Sequence, residues 1–535
     1  MYEYPNIGVL PTSVYGLPPS SSQILFPFSP ALPIFSAMNI DLKGLLASKR
    51  PFIILGPCLF VILLLIGGPP DMEPKAWTVV ACTVWIALWW LTEAVPIAIT
   101  SLLPILLFSA TGAMPVSSIT GYYSNNIIYL FIAGFIIALA MEKWNLHRRI
   151  ALNIIKRTGT NQKQILLGFI LATGFLSMWI SNTATTMMML PIALSIIDQL
   201  TKLLNNPEDA TSSHFGKALV ISIAYAASIG GIATIVGTPT NLIFVEAAGQ
   251  FYGAEIPFDL WFFYALPLTI ILGAFLWWDL SHRAFKLSSI KVKGSKEIID
   301  GELRQLGPMG YEERWVMAIF SFVAIAWIFR TYLIAPIFPG INDTSIALIG
   351  ATVLFLVPGR EKKGEMIMDW QTAKRLPWEV ILLFGGAFSV AGSFQETGLT
   401  AWIGGRLTLL ENVHPLLMLL IVVALVNYLT ELTQNMATCT LMLPILAGLA
   451  QAIGVHPYGL MVPMTIASSC AFMLPVATAP NAIVFGSGTL QMKDMVRAGV
   501  WLNIFATVLI SVYTYYVLPA IWGFDFNSFP AAFVK

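Results

Sequence analysis

"SNTATTMMMLPI" at residues 181–192 and "QNMATCTLMLPI" at residues 434–445 stand 253 residues apart and share Asn182/Asn435, Ala184/Ala437, Thr185/Thr438, Met189/Met442 and Pro191/Pro444. Each sets a run of small polar residues in the middle of an apolar stretch, 164–200 and 415–452. The same offset aligns Phe131 with Phe384, Phe135 with Phe388 and Leu146 with Leu399, so two regions agree on one internal repeat. A second pair of polar interruptions, "GTPTNLI" (237–243) and "ATAPNAI" (477–483), matches at an offset of 240.

The surroundings are close to lipid in composition. Of 535 residues 57% are apolar and 11% charged, with mean hydropathy +0.77, a balance that no soluble domain of this length hides in one core. The chain reads as an all-α polytopic membrane protein. Apolar segments fall near 52–67, 77–92, 96–111, 126–141, 217–236, 260–279, 315–334, 344–358, 378–394, 458–476 and 499–519, about eleven transmembrane helices with soft boundaries. The stretches 164–200 and 415–452 are too long for one span and short for two, which fits two re-entrant hairpins.

Basic residues sort accordingly. With eleven crossings and two hairpins that return to their own side, 25 of the 29 Lys and Arg fall on the side of the N-terminal flank, leaving Lys75, Arg330, Arg406 and Lys535 opposite. The expected N-terminus is cytoplasmic and the C-terminus outside, in the plasma membrane. The two hairpins then enter from opposite sides, an inverted repeat of the kind that builds secondary transporters. Residues 1–43, rich in Pro and Ser, read as a disordered tail, with the folded part beginning soon after Met38.

Other classes fare poorly. A net charge of +1 gives no reason to expect a nucleic-acid partner, and Cys58, Cys82, Cys439 and Cys470 lie scattered in apolar stretches without metal spacing. With no HExxH and no GxSxG, an enzyme is not expected, nor is a cofactor. The basic stretch 142–157 reads as an interfacial amphipathic arm, and Glu93, before Pro96, as a structural cap or pair.

Irregular backbone at membrane depth must be buried in protein or line a wet cavity. Four such breaks, two at hairpin tips and two in broken helices, are expected to converge on one site. Helix N-termini there offer amides to an anion, while unwound carbonyls and Ser, Thr and Asn oxygens suit a small hard cation. Neither tip and neither break contains Lys or Arg. An anion held without fixed positive charge depends on co-bound cations, and Na⁺ coupling follows.

The paired tips, "VGTPTNLI" and "SSCAFMLPVATAPNAIVFG" (468–486) resemble the divalent anion:sodium symporter family, over residues 50 to 520 or so. The resemblance implies a homodimeric elevator-type transporter in which a scaffold holds a moving transport domain that carries di- or tricarboxylates, or sulfate. By position it implies a first sodium site from Ser177, Ser181, Asn182 and Gly237, and a second from Thr430, Thr433, Asn435 and Ala477. The substrate would meet Ser181, Asn182, Thr183, Thr238 and Pro239 on one side, and Gln434, Asn435, Met436, Thr478 and Ala479 on the other. At the second tip the chain departs from the family's Ser-Asn-Thr, because Gln434 and Met436 replace two hydroxyl residues.

The domains expected are scaffold parts at 44–163 and 314–410 and transport parts at 164–285 (hairpin 164–200, broken helix 217–248) and 411–520 (hairpin 415–452, broken helix 458–488). A cytoplasmic linker, 286–313, and a C-terminal tail, 521–535, complete the chain. The function expected is sodium-coupled symport of C4-dicarboxylates such as succinate, malate or fumarate across a lipid bilayer. The alternatives are sulfate or citrate symport, dicarboxylate exchange on the same fold and, more remotely, an anion channel.

Overall fold

Prolines and small polar residues cut this apolar chain into short helices. The computed structural model describes residues 50–203, 210–289, 292, 294–361, 364–406 and 413–533; the expected disordered tail, 1–43, lies outside them. In the first half the helices are α1 (Arg50–Ile66), α2 (Pro74–Thr92), α3 (Ile97–Thr100), α4 (Leu103–Ala110), α5 (Val116–Tyr122), α6 (Asn126–Lys143), α7 (Leu146–Thr158), α8 (Gln162–Ser177), α9 (Asn182–Leu203), α10 (Ala210–Ile232), α11 (Pro239–Tyr252) and α12 (Phe258–Trp278). After them come α13 (Ser295–Leu306), α14 (Tyr311–Phe329), α15 (Asp343–Leu356), α16 (Trp370–Ala373), α17 (Trp378–Glu396), α18 (Leu399–Arg406), α19 (Pro415–Leu429), α20 (Asn435–Ala452), α21 (Pro457–Ser468), α22 (Ala479–Gly486) and α23 (Met492–Trp522).

The repeat is visible in helix starts. Helices α7, α8 and α9 begin 253 residues before α18, α19 and α20, and α11 begins 240 residues before α22. Both long polar-centred stretches are helix pairs with a short non-helical tip, at 178–181 and 430–434. Both broken helices leave helical geometry at the polar runs, and each resumes after a threonine in extended conformation, Thr238 (φ −141°) and Thr478 (φ −142°).

Eight helices, among the described residues, are long and apolar enough to cross a membrane. Seven of these overlap segments expected as spans, and the eighth is α20, an arm of the second hairpin. The segments expected at 52–67, 96–111 and 344–358 are shorter helices, and 458–476 is only the twelve-residue α21 followed by its break. At 96–111 the chain turns at Ser101 and Leu102, and Pro104 sits in the first turn of α4, where its missing N–H costs no helical bond. Glu93 closes α2 in the left-handed region (φ 46°), the cap expected of it.

Packing centres on α10, whose apolar window is 94% buried. It meets α8 at a pair of glycines so close that a Cβ on Gly230 would come within 2.2 Å of the Gly174 carbonyl oxygen; small residues let membrane helices approach in this way. Among the contacts that cross between halves of the chain, α9 packs along α22, and α20 packs along α11. The second arm of each hairpin therefore lies against the half-helix that follows the other repeat's break.

The arm α7 buries Leu146, Ala151, Leu152 and Ile155 and turns its basic face to α13 and α14. Lys156 pairs with Asp300 at 2.8 Å, Arg149 with Glu313 at 2.5 Å, and Arg148 with Glu302. The expected linker 286–313 thus contains a helix clasped by the arm. At the end of α6 the Lys143 ammonium, 2.6 Å from Asp369, holds that carboxyl well below the usual carboxylate range. The expected tail begins inside α23, and its chain then folds back: Phe526 is buried, its carbonyl accepts from His456 N at 3.0 Å, and Phe533 stacks on Tyr252.

Candidate anion and cation site

A chain that leaves a helix frees carbonyls and amides that the membrane interior does not satisfy. Both breaks solve this with the same residue. Asn241 donates from Nδ2 to the carbonyls of Thr234 (2.8 Å), Gly231 and Ile232 (3.3 Å each). Its repeat partner Asn481 donates to Ala471 and Leu474, both at 3.0 Å. Both asparagines are fully buried.

The tips repeat one bond as well. Ser177 Oγ donates to Asn182 Oδ1 at 2.5 Å, and Thr430 Oγ1 donates to Asn435 Oδ1 at 2.7 Å. Each tip is then tied to its own break. In the first repeat Thr234 Oγ1 donates to the Met178 carbonyl at 2.5 Å and accepts from Gly237 N at 2.9 Å. In the second, Thr430 Oγ1 also reaches the Ser468 carbonyl at 2.9 Å. There Glu431, which occupies the position of Met178, accepts from the amides of Phe472 (2.7 Å), Met473 and Leu474 (2.9 Å each) and from Asn503 Nδ2 (2.7 Å).

The breaks also touch each other, since Thr240 Oγ1 lies 2.8 Å from Ser469 Oγ, and α20 reaches the first break through Cys439 Sγ, 3.7 Å from the Thr240 carbonyl. Helices α9, α11, α20 and α22 all start in this region, at Asn182, Pro239, Asn435 and Ala479. Their first-turn amides and dipoles favour negative charge.

Of the first sodium set, Ser177, Asn182 and Gly237 come together around Gly231. At the point where a Gly231 Cβ would stand, Asn182 Oδ1 is 2.7 Å away and the Gly237 carbonyl 3.0 Å. Asn182 Nδ2 stands 3.2 Å from the same point, and the two oxygens suit a small hard cation. Ser181 caps α9, its Oγ accepting from Ala184 N at 3.2 Å. Of the second set, Thr430 and Asn435 are bonded, but Thr433 donates to Leu429 O at 2.9 Å and meets Thr438 Oγ1 at 2.5 Å. Ala477 is buried within the break, its N–H on the Leu474 carbonyl at 3.2 Å.

The expected substrate residues differ in setting. Ser181, Asn182, Thr183, Gln434, Asn435, Met436, Pro239 and Thr478 are half-buried, Ala479 is exposed and Thr238 is buried. Thr238 and Thr478 are the N-caps of α11 and α22; Thr478 Oγ1 accepts from Asn481 N at 3.2 Å, whereas Thr238 Oγ1 lies 3.4 Å from Thr240 Oγ1. Met436 packs against an apolar cluster that includes Ile119, Leu383 and Val390. Sequence reasoning missed Asn241, Asn481 and Glu431. The first two were signalled by one asparagine at equal positions in both breaks, and the third by a carboxylate inside an apolar run.

Residues 52–522 match the family described as the sodium:sulfate symporter transmembrane region. A protein of Staphylococcus saprophyticus named sodium-dependent dicarboxylate transporter is 44% identical over 477 residues, covering 88% of this chain and 92% of its own. One of the same name from Staphylococcus aureus USA300 is 43% identical over 491 residues, covering 90% and 94%. Among solved structures, the YdaH transporter of Alcanivorax borkumensis aligns with a TM-score of 0.55 at 12% identity, over 88% of this chain and 97% of that one. MtrF of Neisseria gonorrhoeae, titled as one of a class of antimetabolite efflux pumps, aligns at 0.54 and 13% identity, over 77% and 84%. At such identities these two speak to the fold alone: a helical membrane-transporter architecture.

Proposed function

The chain belongs to the sodium:sulfate symporter family, and from that membership we propose that it is a sodium-coupled symporter of C4-dicarboxylates such as succinate, malate or fumarate. The single observation that carries the reading is the duplicated tip-and-break geometry. Two asparagines, Asn182 and Asn435, are each held by a hydroxyl at a tip free of Lys and Arg, beside breaks whose carbonyls are gathered by Asn241 and Asn481. Oxygen clusters of this kind take Na⁺, and the bound Na⁺ supplies the positive charge that the dianion needs. The relatives' names, sodium-dependent dicarboxylate transporters, support both ions.

The mechanism follows from charge. Without sodium the site offers an anion only amide dipoles and hydroxyls, among them Ser181, Thr183 and Thr478. With sodium at the cradle of Ser177, Asn182 and Gly237, and at Thr430, Asn435 and Ala477, the anion binds between two cations. Loaded carrier is electrically balanced and moves; half-loaded carrier holds unpaired charge in a low-dielectric site and does not. The tips act as re-entrant hairpins of an inverted repeat within about eleven crossings. The transport parts, 164–285 and 411–520, ride as an elevator against scaffold parts 44–163 and 314–410 in a homodimer. The 25-to-4 split of basic residues supports a cytoplasmic N-terminus and an outside C-terminus in the plasma membrane.

Uptake of labelled succinate into proteoliposomes, with and without an inward Na⁺ gradient, tests the reading. Saturable uptake that requires Na⁺ is expected. Uptake indifferent to Na⁺ but driven by internal dicarboxylate would make the protein an exchanger, and a non-saturating current would make it a channel.

A further inference from the structure

Asn427, in α19, is fully buried, and neither its Oδ1 nor its Nδ2 has a hydrogen-bond partner among the described residues. On α23, Asn503 Oδ1 and Thr507 Oγ1 are likewise buried and unpartnered. Native interiors seldom leave one side-chain amide unmet at both ends. The helices that carry these three residues, α19 and α23, pack against each other.

Their register follows from two contacts. Glu431 Oε1 accepts from Asn503 Nδ2 at 2.7 Å, and the His414 ring lies 6.0 Å from that of Tyr515. Helices α19 and α23 therefore run antiparallel, and Asn427, four residues back from Glu431, stands level with Thr507, four residues on from Asn503. Direction follows from its neighbours one turn away: Thr430 reaches Ser468 on α21, and Glu431 reaches α23. Asn427 thus points into the junction of α19, α21 and α23. In the first repeat the same position is Gly174, pressed directly against Gly230. The second repeat puts a polar side chain at that crossing, beside a buried carboxylate, Glu431, whose hydrogen-bond partners are all uncharged N–H groups.

We propose that this junction binds a further monovalent cation of sodium's kind, held by Asn427 Oδ1, Asn503 Oδ1 and Thr507 Oγ1 in the field of the Glu431 carboxylate. Neutral oxygen donors beside one negative charge suit a single positive charge. The proposal rests on the two-sodium symport reading above and adds a consequence to it. A dianion with two Na⁺ crosses without net charge, whereas a third cation leaves one positive charge to move with the membrane potential.

The test uses the full-length protein in proteoliposomes, with the potential set by a K⁺ gradient and valinomycin. At a fixed Na⁺ gradient, steady-state succinate accumulation should rise by up to about 50-fold per 100 mV, inside negative, which is one net charge at about 2.3 kcal/mol. Asn427→Leu should lose that voltage dependence and show a less steep dependence on Na⁺. If Asn427→Leu does not fold, Asn427→Gly, the first repeat's residue, takes its place. Where a variant folds but does not transport, Na⁺ titration of purified protein by calorimetry decides: one site fewer than wild type supports the proposal, and an equal number overturns it. Wild-type uptake that requires Na⁺ but ignores voltage, or a variant with unchanged voltage response, also overturns it. Wild-type uptake that needs no Na⁺ would instead sink the symport reading.

Discussion

Replacing Glu431 with Gln changes one oxygen and removes one charge, at the point where the second break is tied to its tip. Glu431 Oε1 takes three donors, Phe472 N, Met473 N and Asn503 Nδ2, and Oε2 takes Leu474 N. A glutamine that keeps its oxygen where three donors meet turns its NH₂ against the Leu474 N–H. That amide loses its partner, at about 1–3 kcal/mol, and the other bonds weaken because they are no longer charge-assisted. A conservative sum is about 2 kcal/mol against the break geometry, which converts to about 30-fold in apparent Na⁺ affinity. Position 178 is the internal control: its tie to the first break is through its backbone carbonyl, so Met178→Leu should stay within about 1.5 kcal/mol of wild type. The assay is the Na⁺ dependence of succinate uptake in proteoliposomes, with a thermal melt of each purified protein beside it. Glu431→Gln with wild-type Na⁺ dependence and melting would refute the reasoning, as would equal damage from Met178→Leu.

Other expectations are as direct. Met436→Thr restores a hydroxyl opposite Thr183 and should tighten apparent succinate affinity by up to about tenfold, the worth of one hydrogen bond to a charged group, while Thr183→Ala weakens it; substrate titrations of uptake check both. Gly231→Ala places a methyl 2.7 Å from Asn182 Oδ1 and 3.0 Å from the Gly237 carbonyl, and should cost at least tenfold in Na⁺ affinity, read from uptake against Na⁺ concentration. With exposed Cys58 replaced by Ser, Glu297→Cys and Ser528→Cys, both at exposed positions, should react with a membrane-impermeant thiol reagent from opposite sides; same-side labelling would contradict the inverted topology.

Much of the helical layout was legible because membrane burial leaves few reasons for a polar cluster inside an apolar stretch. The runs at 181–186 and 434–438 marked helix starts at Asn182 and Asn435, and the offset of 253 carried over to Leu146 and Leu399. Chain punctuation read less well. Segment 96–111 looks continuous by hydropathy, yet it breaks at Ser101 and Leu102. The last residues look like a tail, yet aromatic contacts of Phe524 and Phe533 with His456 fold them back. At the site, residue types were readable and partnerships were not. Glu431 bonds to amides 41 to 43 residues away in sequence, and no local pattern reports which backbone a carboxylate will meet. Thr433, expected at a cation by position, also bonds to Leu429 and Thr438 on either side of the tip.

The packing of each hairpin's second arm on the half-helix of the other repeat sets a timetable for synthesis. Helix α11 and its break are translated long before α20, and the Cys439–Thr240 contact spans 199 residues of chain. At the roughly 5–20 residues per second of translation, that interval is about 10–40 s. Through it, the buried face of α11 lacks its later-made partners, Phe244 waiting for Tyr458 and Trp522 and Thr240 for Ser469. The first repeat therefore leaves the ribosome as an unfinished half whose broken helix must be shielded by lipid, by the insertion machinery or by a neighbour. Slowing elongation between residues 252 and 435 lengthens that exposure, and premature degradation of the nascent chain should concentrate there.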